Sequence, residues 1–236
     1  MTLQTLSEVT QELPDFAYAV SHDLQAPLRH ISQYTELMEK SIETKNYVEM
    51  TKSNRVLKTS ANKLREMIDG LLAYSRINTT GRQIVPIQLR QVLDATMVEI
   101  ETAIQANNAR VSISTELPEV LGDPQQVKLL FFHVIENAIK FRGEEDPVIE
   151  IAHEVIDGKC YVSVSDNGIG IPDRCKEEVF SIFKRLGFKE NVPGAGVGLA
   201  ICRRIALRHH GRIYAETQSK GAKFVVSLML PEALPA

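Results

Sequence analysis

Residues 18–34, YAVSHDLQAPLRHISQY, have the spacing of a helix, yet they carry Pro27 inside it and His22 among small and polar neighbours. Val20, Leu24, Ile31 and Tyr34 recur on one side, with Leu13 before them and Met38 after. His22 lies two residues from both Val20 and Leu24, roughly 200° around the helix from each. The histidine therefore faces water, away from the apolar stripe.

A second stripe follows. Tyr47, Met50, Asn54, Leu57, Ala61, Leu64, Ile68, Leu71 and Ser75 alternate steps of three and four, the period of a seam between helices. A two-helix hairpin covers such stripes on one side only. Two copies of it close a four-helix bundle, so a homodimer through residues 1–78 is expected. The pattern stops at INTTGRQIVP (77–86), where Asn, Thr, Gly and Pro cluster, and residues 79–84 read as a linker.

From residue 85 to 236 the texture is that of an α/β domain. Residues 110–116, 148–155, 160–166, 211–218 and 221–230 alternate as half-buried strands do, with antiparallel pairs expected towards the C-terminus. DPQQVKLLFFHVIENAIKFR (123–142) has helical period, with Asp123 as N-cap and Pro124 in the first turn.

Composition sets outer bounds. The 236 residues are 44% hydrophobic with a formal net charge of −3, enough to build packed cores and without the basic field that draws nucleic acid or an anionic membrane. There is no run of about 18 apolar residues and no signal-peptide pattern. The cysteines, Cys160, Cys175 and Cys202, are odd in number and lack paired metal-ligand spacing. A cytoplasmic, reducing setting is the expectation.

Several short stretches carry chemistry. Asp23, beside His22, can accept the Nδ1 proton of the imidazole and leave Nε2 the better nucleophile; taken alone, the pair also fits an ordinary polar helix face. Pro27 removes one backbone hydrogen bond and can bend the helix, or is merely a tolerated kink. Asn137 and Lys140 lie three apart on one helix beside Glu136, where a carboxamide can ligate Mg²⁺ and an ammonium can meet a phosphate; singly, they fit a solvated face.

In SDNGIGIP (165–172), Asp166 ends a strand while Gly168 and Gly170 let the backbone turn and approach a flat ligand, or simply make a glycine turn. Gly194, Gly196 and Gly198 of GAGVGL lead into a helix whose free N–H groups suit a phosphate, or form a flexible loop. The order is GxGxG without repeated βαβ units, which disfavours a dinucleotide fold. Phe180 and Phe183 precede a polar, glycine-bearing segment: they are core residues, anchors of a mobile lid, or both.

The order of these pieces resembles the transmitter region of two-component sensor histidine kinases, from about Phe16 to Leu230. SHDLQAPL is similar to the H box, HVIENAIKF to the N box, DNGIG to the first glycine box, FSIF to the F box and GAGVGL to the second glycine box. The wording of SHDLQAPLRHI and NAIKFR is similar to the soluble phytochrome-like branch, whose sensor module would precede this chain; LQTLSEVTQEL (3–13) would suit a helix leading out of such a module.

The resemblance implies an α+β architecture: a dimeric helical hairpin, 1–78, followed by a Bergerat-type (GHKL) ATP-binding α/β sandwich, 85–236. It implies His22 as phospho-acceptor with Asp23 as acid/base neighbour. Asn137 becomes the Mg²⁺ ligand, Lys140 a phosphate contact and Asp166 the partner of the adenine amino group. Gly168, Gly170, Phe183, Gly194, Gly196 and Gly198 line the ATP site, and the phosphoryl group passes on to a response-regulator receiver.

Two positions depart from the family. His133 stands where a first Asn of the N box is common. Ala26 takes the place, four after His22, of a polar side chain that orients hydrolytic water, so phosphatase action on the regulator is not expected. These departures also frame an alternative, a catalytically weak nucleotide-binding scaffold for a regulator. A plain GHKL clamp ATPase would leave His22 without a role.

Overall fold

The computed structural model describes residues 3–79, 81–114, 116–186 and 194–233, with side chains from Val20 to Glu232. The chain forms two compact units, residues 1–71 with 194–196, and 72–193 with 197–236.

The first unit is built on two long helices, α1 (Leu3–Glu43) and α2 (Tyr47–Thr79), of which α2 runs on into the second unit. Their turn is set locally: Lys45 takes φ +53°, the Asn46 N–H bonds to the Ser41 carbonyl at 2.8 Å, and the Asn46 carboxamide caps α2 by accepting from the Glu49 N–H at 3.1 Å. Pro27 is buried within an uninterrupted α1. The side chain of Leu13 lies outside the described residues.

The seam predicted on α2 divides in two. Between Tyr47 and Ser75 the buried residues are Ser53, Ser60 and Met67, one turn-step to its side, at 0%, 6% and 2% exposure, and Met50, Leu57 and Leu64 are half-buried. Tyr47 and Ile68 stay 73% and 44% exposed, and Asn54 and Ala61 face solvent. Small serines bury with little bulk, while the remaining stripe is left uncovered by its own chain.

The second unit holds a five-stranded sheet in the order β2-β4-β5-β7-β6, built from β2 (Arg110–Ile113), β4 (Val148–Ile156), β5 (Lys159–Asp166), β6 (Ile213–Thr217) and β7 (Ala222–Met229). The β2–β4 pair is parallel and the others antiparallel. All five strands were legible as alternation; the inward set of β7, Ala222, Phe224, Val226 and Leu228, is at most 6% exposed.

A short pair, β1 (Val85–Gln88) with β3 (Glu119–Gly122), was not anticipated, nor was α3 (Leu89–Ala106) between them. Leu89, Val92, Leu93, Thr96 and Ile100 give α3 its buried face, and it packs on α4 (Pro124–Lys140), beside α5 (Gly198–Arg208). Asp123 caps α4 as expected, accepting from the Gln125 and Gln126 N–H groups at 3.0 and 3.4 Å. The three cysteines are buried, and burial pushes the Cys160 thiol up to about 11.

Candidate active site

On α1 the His22 side chain is 70% exposed, and its Nδ1 lies 3.1 Å from Asp23 Oδ1. That pairing assigns the Nδ1 proton towards the carboxylate and turns Nε2 away from it. Ala26, one turn on, presents only a methyl group.

In the second unit, the end of α4 and the turn after β5 are stapled together. The Ile169 N–H donates to the Phe141 carbonyl at 3.0 Å. A Cβ on Gly168 would fall 2.5 Å from that same oxygen, which is why only glycine fits between them. The helix bearing Asn137 and Lys140 is thereby held against the turn bearing Asp166.

Asp166 is fixed by one oxygen: its Oδ1 accepts from the Gly168 N–H at 2.8 Å and the Ala222 N–H at 3.1 Å. Burial raises the carboxyl above its ordinary range, and those two bonds pull it back in part. No bond to its Oδ2 occurs among the described residues. Two further glycines close the turn. Gly170 has φ +74°, and a Cβ there would meet the Gly221 carbonyl at 2.9 Å; a Cβ on Gly221 (φ +78°) would run into the Asp166 carbonyl. Gly221 was not singled out in the sequence, although a lone glycine directly before a strand is a bulge or close-approach signal.

Asn167, between Asp166 and Gly168, also escaped attention. Its Oδ1 accepts from the Val148 N–H at 2.8 Å and its Nδ2 donates to the Asp146 carbonyl at 3.0 Å, tying down the loop after α4. On α4, Lys140 Nζ meets Glu136 Oε1 at 2.8 Å with both groups about one-third exposed, so the ammonium sits on the same face as the half-buried Asn137.

His133 lies against the start of α5: a Cβ on Gly198 would stand 3.2 Å from its Nδ1. Burial lowers its basicity below the ordinary imidazole range, with Glu136 opposing and Lys140 reinforcing. An imidazole thus occupies the neck between the Asn137 helix and the last glycine of GAGVGL.

Phe180 and Phe183 are both core, 4% and 9% exposed; Phe180 meets Phe224 edge-on at 6.1 Å, and Phe183 takes φ +62°. Residues 187–193, to which the lid expectation applies, lie outside the described residues. Gly194 and Gly196 adopt φ +133° and +74°, and group with the first unit. The structure therefore brings together Asn137, Lys140, Asp166, Gly168, Gly170 and Gly198 on the α4/β5/α5 framework, and holds His22 with Asp23 on α1.

Two family models match the chain: the His Kinase A (phospho-acceptor) domain over residues 12–80, and the histidine kinase-, DNA gyrase B-, and HSP90-like ATPase over residues 122–232. Together they cover most of the chain, as the two domains of a sensor histidine kinase transmitter region. Cyanobacterial phytochrome A of Nostoc sp. is 34% identical over 224 residues, covering 94% of this chain and 29% of that protein. The adaptive-response sensory kinase SasA of Synechococcus sp. is 30% identical, over 88% of this chain and 56% of its own. The chain thus spans about a third to a half of these curated relatives.

Among solved structures, the catalytic domain of histidine kinase ThkA matches at 28% identity and TM-score 0.54 over 63% of this chain and 98% of its own. A structure of ThkA in complex with response regulator protein TrrA matches the fold at 24% identity and TM-score 0.66, over 97% of this chain and 65% of that one. No helix among the described residues is long and apolar enough to cross a membrane.

Proposed function

We propose that this histidine kinase transmitter phosphorylates its own His22 from Mg²⁺-ATP and hands the phosphoryl group to an aspartate of a response-regulator receiver. The observation that carries the reading is the exposed His22–Asp23 pair, with Nδ1 and Oδ1 3.1 Å apart. In the transfer Nε2 forms a bond to the γ-phosphorus while the bond to the β,γ-bridging oxygen breaks and ADP departs. Asp23 takes or shares the Nδ1 proton as positive charge develops on the imidazole.

Asp166, its Oδ1 committed to the backbone, keeps Oδ2 for the exocyclic amine of adenine. Lys140 and the glycines at 194, 196 and 198 face the phosphates. Among the described residues no three His, Cys, Asp or Glu side chains cluster to hold a metal. A cation held by the Asn137 carboxamide together with nucleotide phosphates fits that donor set, since Mg²⁺ commonly takes few protein ligands. When bound, it neutralises phosphate charge; the protein's part is to orient and to exclude water.

The working unit is a cytoplasmic homodimer, with residues 1–78 as dimerisation and phospho-acceptor domain, 79–84 as linker and 85–236 as ATP-binding domain. A sensor module of the phytochrome type precedes it in the whole protein, in keeping with the coverage of that relative. TrrA bound to ThkA is the precedent for the receiver partner. Ala26 leaves the dephosphorylation of that partner unsupported.

The test is incubation with γ-labelled ATP and Mg²⁺, scoring acid-labile, alkali-stable label on the chain beside His22→Gln and Asn137→Ala. Label lost from both variants is expected. Nucleotide binding without label on the parent chain would instead favour the scaffold reading that His133 motivates.

A further inference from the structure

The last two turns of α2 are clasped by the ATP-binding unit. The Gln126 side chain, 7% exposed, donates from Nε2 to the Ile77 carbonyl at 2.8 Å, and Ile77 is itself 5% exposed. Arg208 locks that glutamine from behind: Nη1 donates to Gln126 Oε1 at 2.8 Å and lies 3.6 Å from Asp123 Oδ2, while Nη2 donates to the Arg82 carbonyl at 2.6 Å. The Arg82 N–H closes the ring on Asp123 Oδ2 at 2.7 Å.

One helical turn along α5 from Arg208, the Arg204 guanidinium stacks over Tyr74 at 5.4 Å. The Asn78 carboxamide oxygen, turned towards Arg204, accepts from Nε and Nη2 at 3.3 and 2.8 Å. A Cβ at Gly81 would lie 2.4 Å from Arg208 Cζ and 2.7 Å from Gln126 Nε2, so a side chain there pushes the ends of both clasp residues aside.

We infer that Gln126 and Arg208 are positioning residues: they make residues 72–82 part of the ATP-binding body, so that the joint between the two units lies inside α2, at Gly70–Leu71, and not in residues 79–84. The packing boundary falls at that point, after Leu71. Gly70 is the poorest helix former nearby, about 1 kcal/mol worse than alanine in a helix interior. Among the described residues, none of these clasp bonds runs to Asn137, Lys140, Asp166 or the His22–Asp23 pair. Its effect on the reaction, which rests on the kinase reading above, is to shorten the tether that carries ATP to the histidine; freeing it would lower the local concentration of bound ATP at His22.

Amide hydrogen exchange on the full chain tests the joint directly. A free helix end frays from its tip, so residues 73–79 of an unclasped α2 exchange faster than residues 66–71. The clasp inverts that order, with 73–79 the slower by tenfold or more. Gly81→Ala and, independently, Gln126→Ala restore the fraying order. In the labelled-ATP assay the same variants lower kcat for self-phosphorylation several-fold and leave KM for ATP unchanged. A parent chain in which 73–79 exchange faster than 66–71 would overturn the clasp, and so would an unchanged or raised kcat in both variants. A parent that shows the inverted exchange but takes no label would instead break the kinase reading and leave the clasp standing.

Discussion

In the proposed reaction, the exposed His22 is made a nucleophile by the Asp23 carboxylate beside its Nδ1. Asp23→Asn keeps an acceptor near Nδ1 but removes the negative charge that offsets an imidazolium, so self-phosphorylation should fall about 100-fold or more, in the range of a lost acid/base group. Rapid-quench labelling measures the rate, and the label should stay acid-labile. At Asp166 the trade runs between ligand and fold. Asparagine there still accepts from Gly168 and Ala222 but escapes the burial cost that raises the carboxyl. Asp166→Asn should therefore lose nucleotide binding tenfold or more while melting at the same temperature as the parent or higher; a fluorescent-nucleotide titration beside a thermal melt reads both. The residues proposed for the site stood out in the sequence because each sits in a short motif with its own spacing. Asn167 and Gly221 did not, because Asn167 bonds to Asp146 and Val148 and the Gly221 backbone packs closely on Asp166, segments distant in the chain.

At the level of elements, α4 is the beam on which the ATP-binding unit is hung. Its cap was readable from Asp123-Pro124, but the second job of that cap was not. His209, 2% exposed, accepts at Nε2 from the Asp123 N–H at 2.9 Å and donates from Nδ1 to the Ile205 carbonyl at 2.7 Å, pinning the end of α5 to the start of α4. Burial holds this imidazole, like that of His133, less basic than its ordinary 6.5. The folded state thus refuses a proton that the unfolded chain accepts. The stability is present above pH 6.5 and is lost as the pH falls below it, at up to about 1.4 kcal/mol per pH unit for each proton so linked. Urea titrations between pH 7.5 and 5.5 should show that loss, reduced in slope in His209→Gln. Asp123→Ala removes both the cap and the hold on Arg82, and should cost about 2 kcal/mol in the same titration. The elements missed from the sequence, β1, β3 and α3, share a cause. The strands have four residues each, one with Pro86 inside, and α3 follows β1 without a capping side chain at Gln88, so neither alternation nor a start signal stands out.

On the scale of the whole molecule, a helical hairpin followed by an α/β domain was legible from one sequence, because the break at residues 77–86 separates a seven-residue rhythm from alternating strands; the compact units themselves divide earlier, after Leu71. What that rhythm does not reveal is which half of each stripe its own chain covers. The structure leaves Tyr47, Ile68 and Leu28 exposed at 73%, 44% and 54%, the stripe a second copy would bury. Ile68→Glu should shift the chain from dimer to monomer in sedimentation velocity, while Thr59→Glu, on the polar side, should not.

The three thiols sealed in the ATP-binding unit have a practical corollary. Cys202 is fully enclosed, Cys160 is held protonated well past neutrality and Cys175 is buried, so an electrophile reaches them poorly. Cysteines introduced on exposed turns of α1 and of α5 will take maleimide dyes ahead of them, so a dye pair can report the distance between those helices without first stripping the native chain of its sulfur.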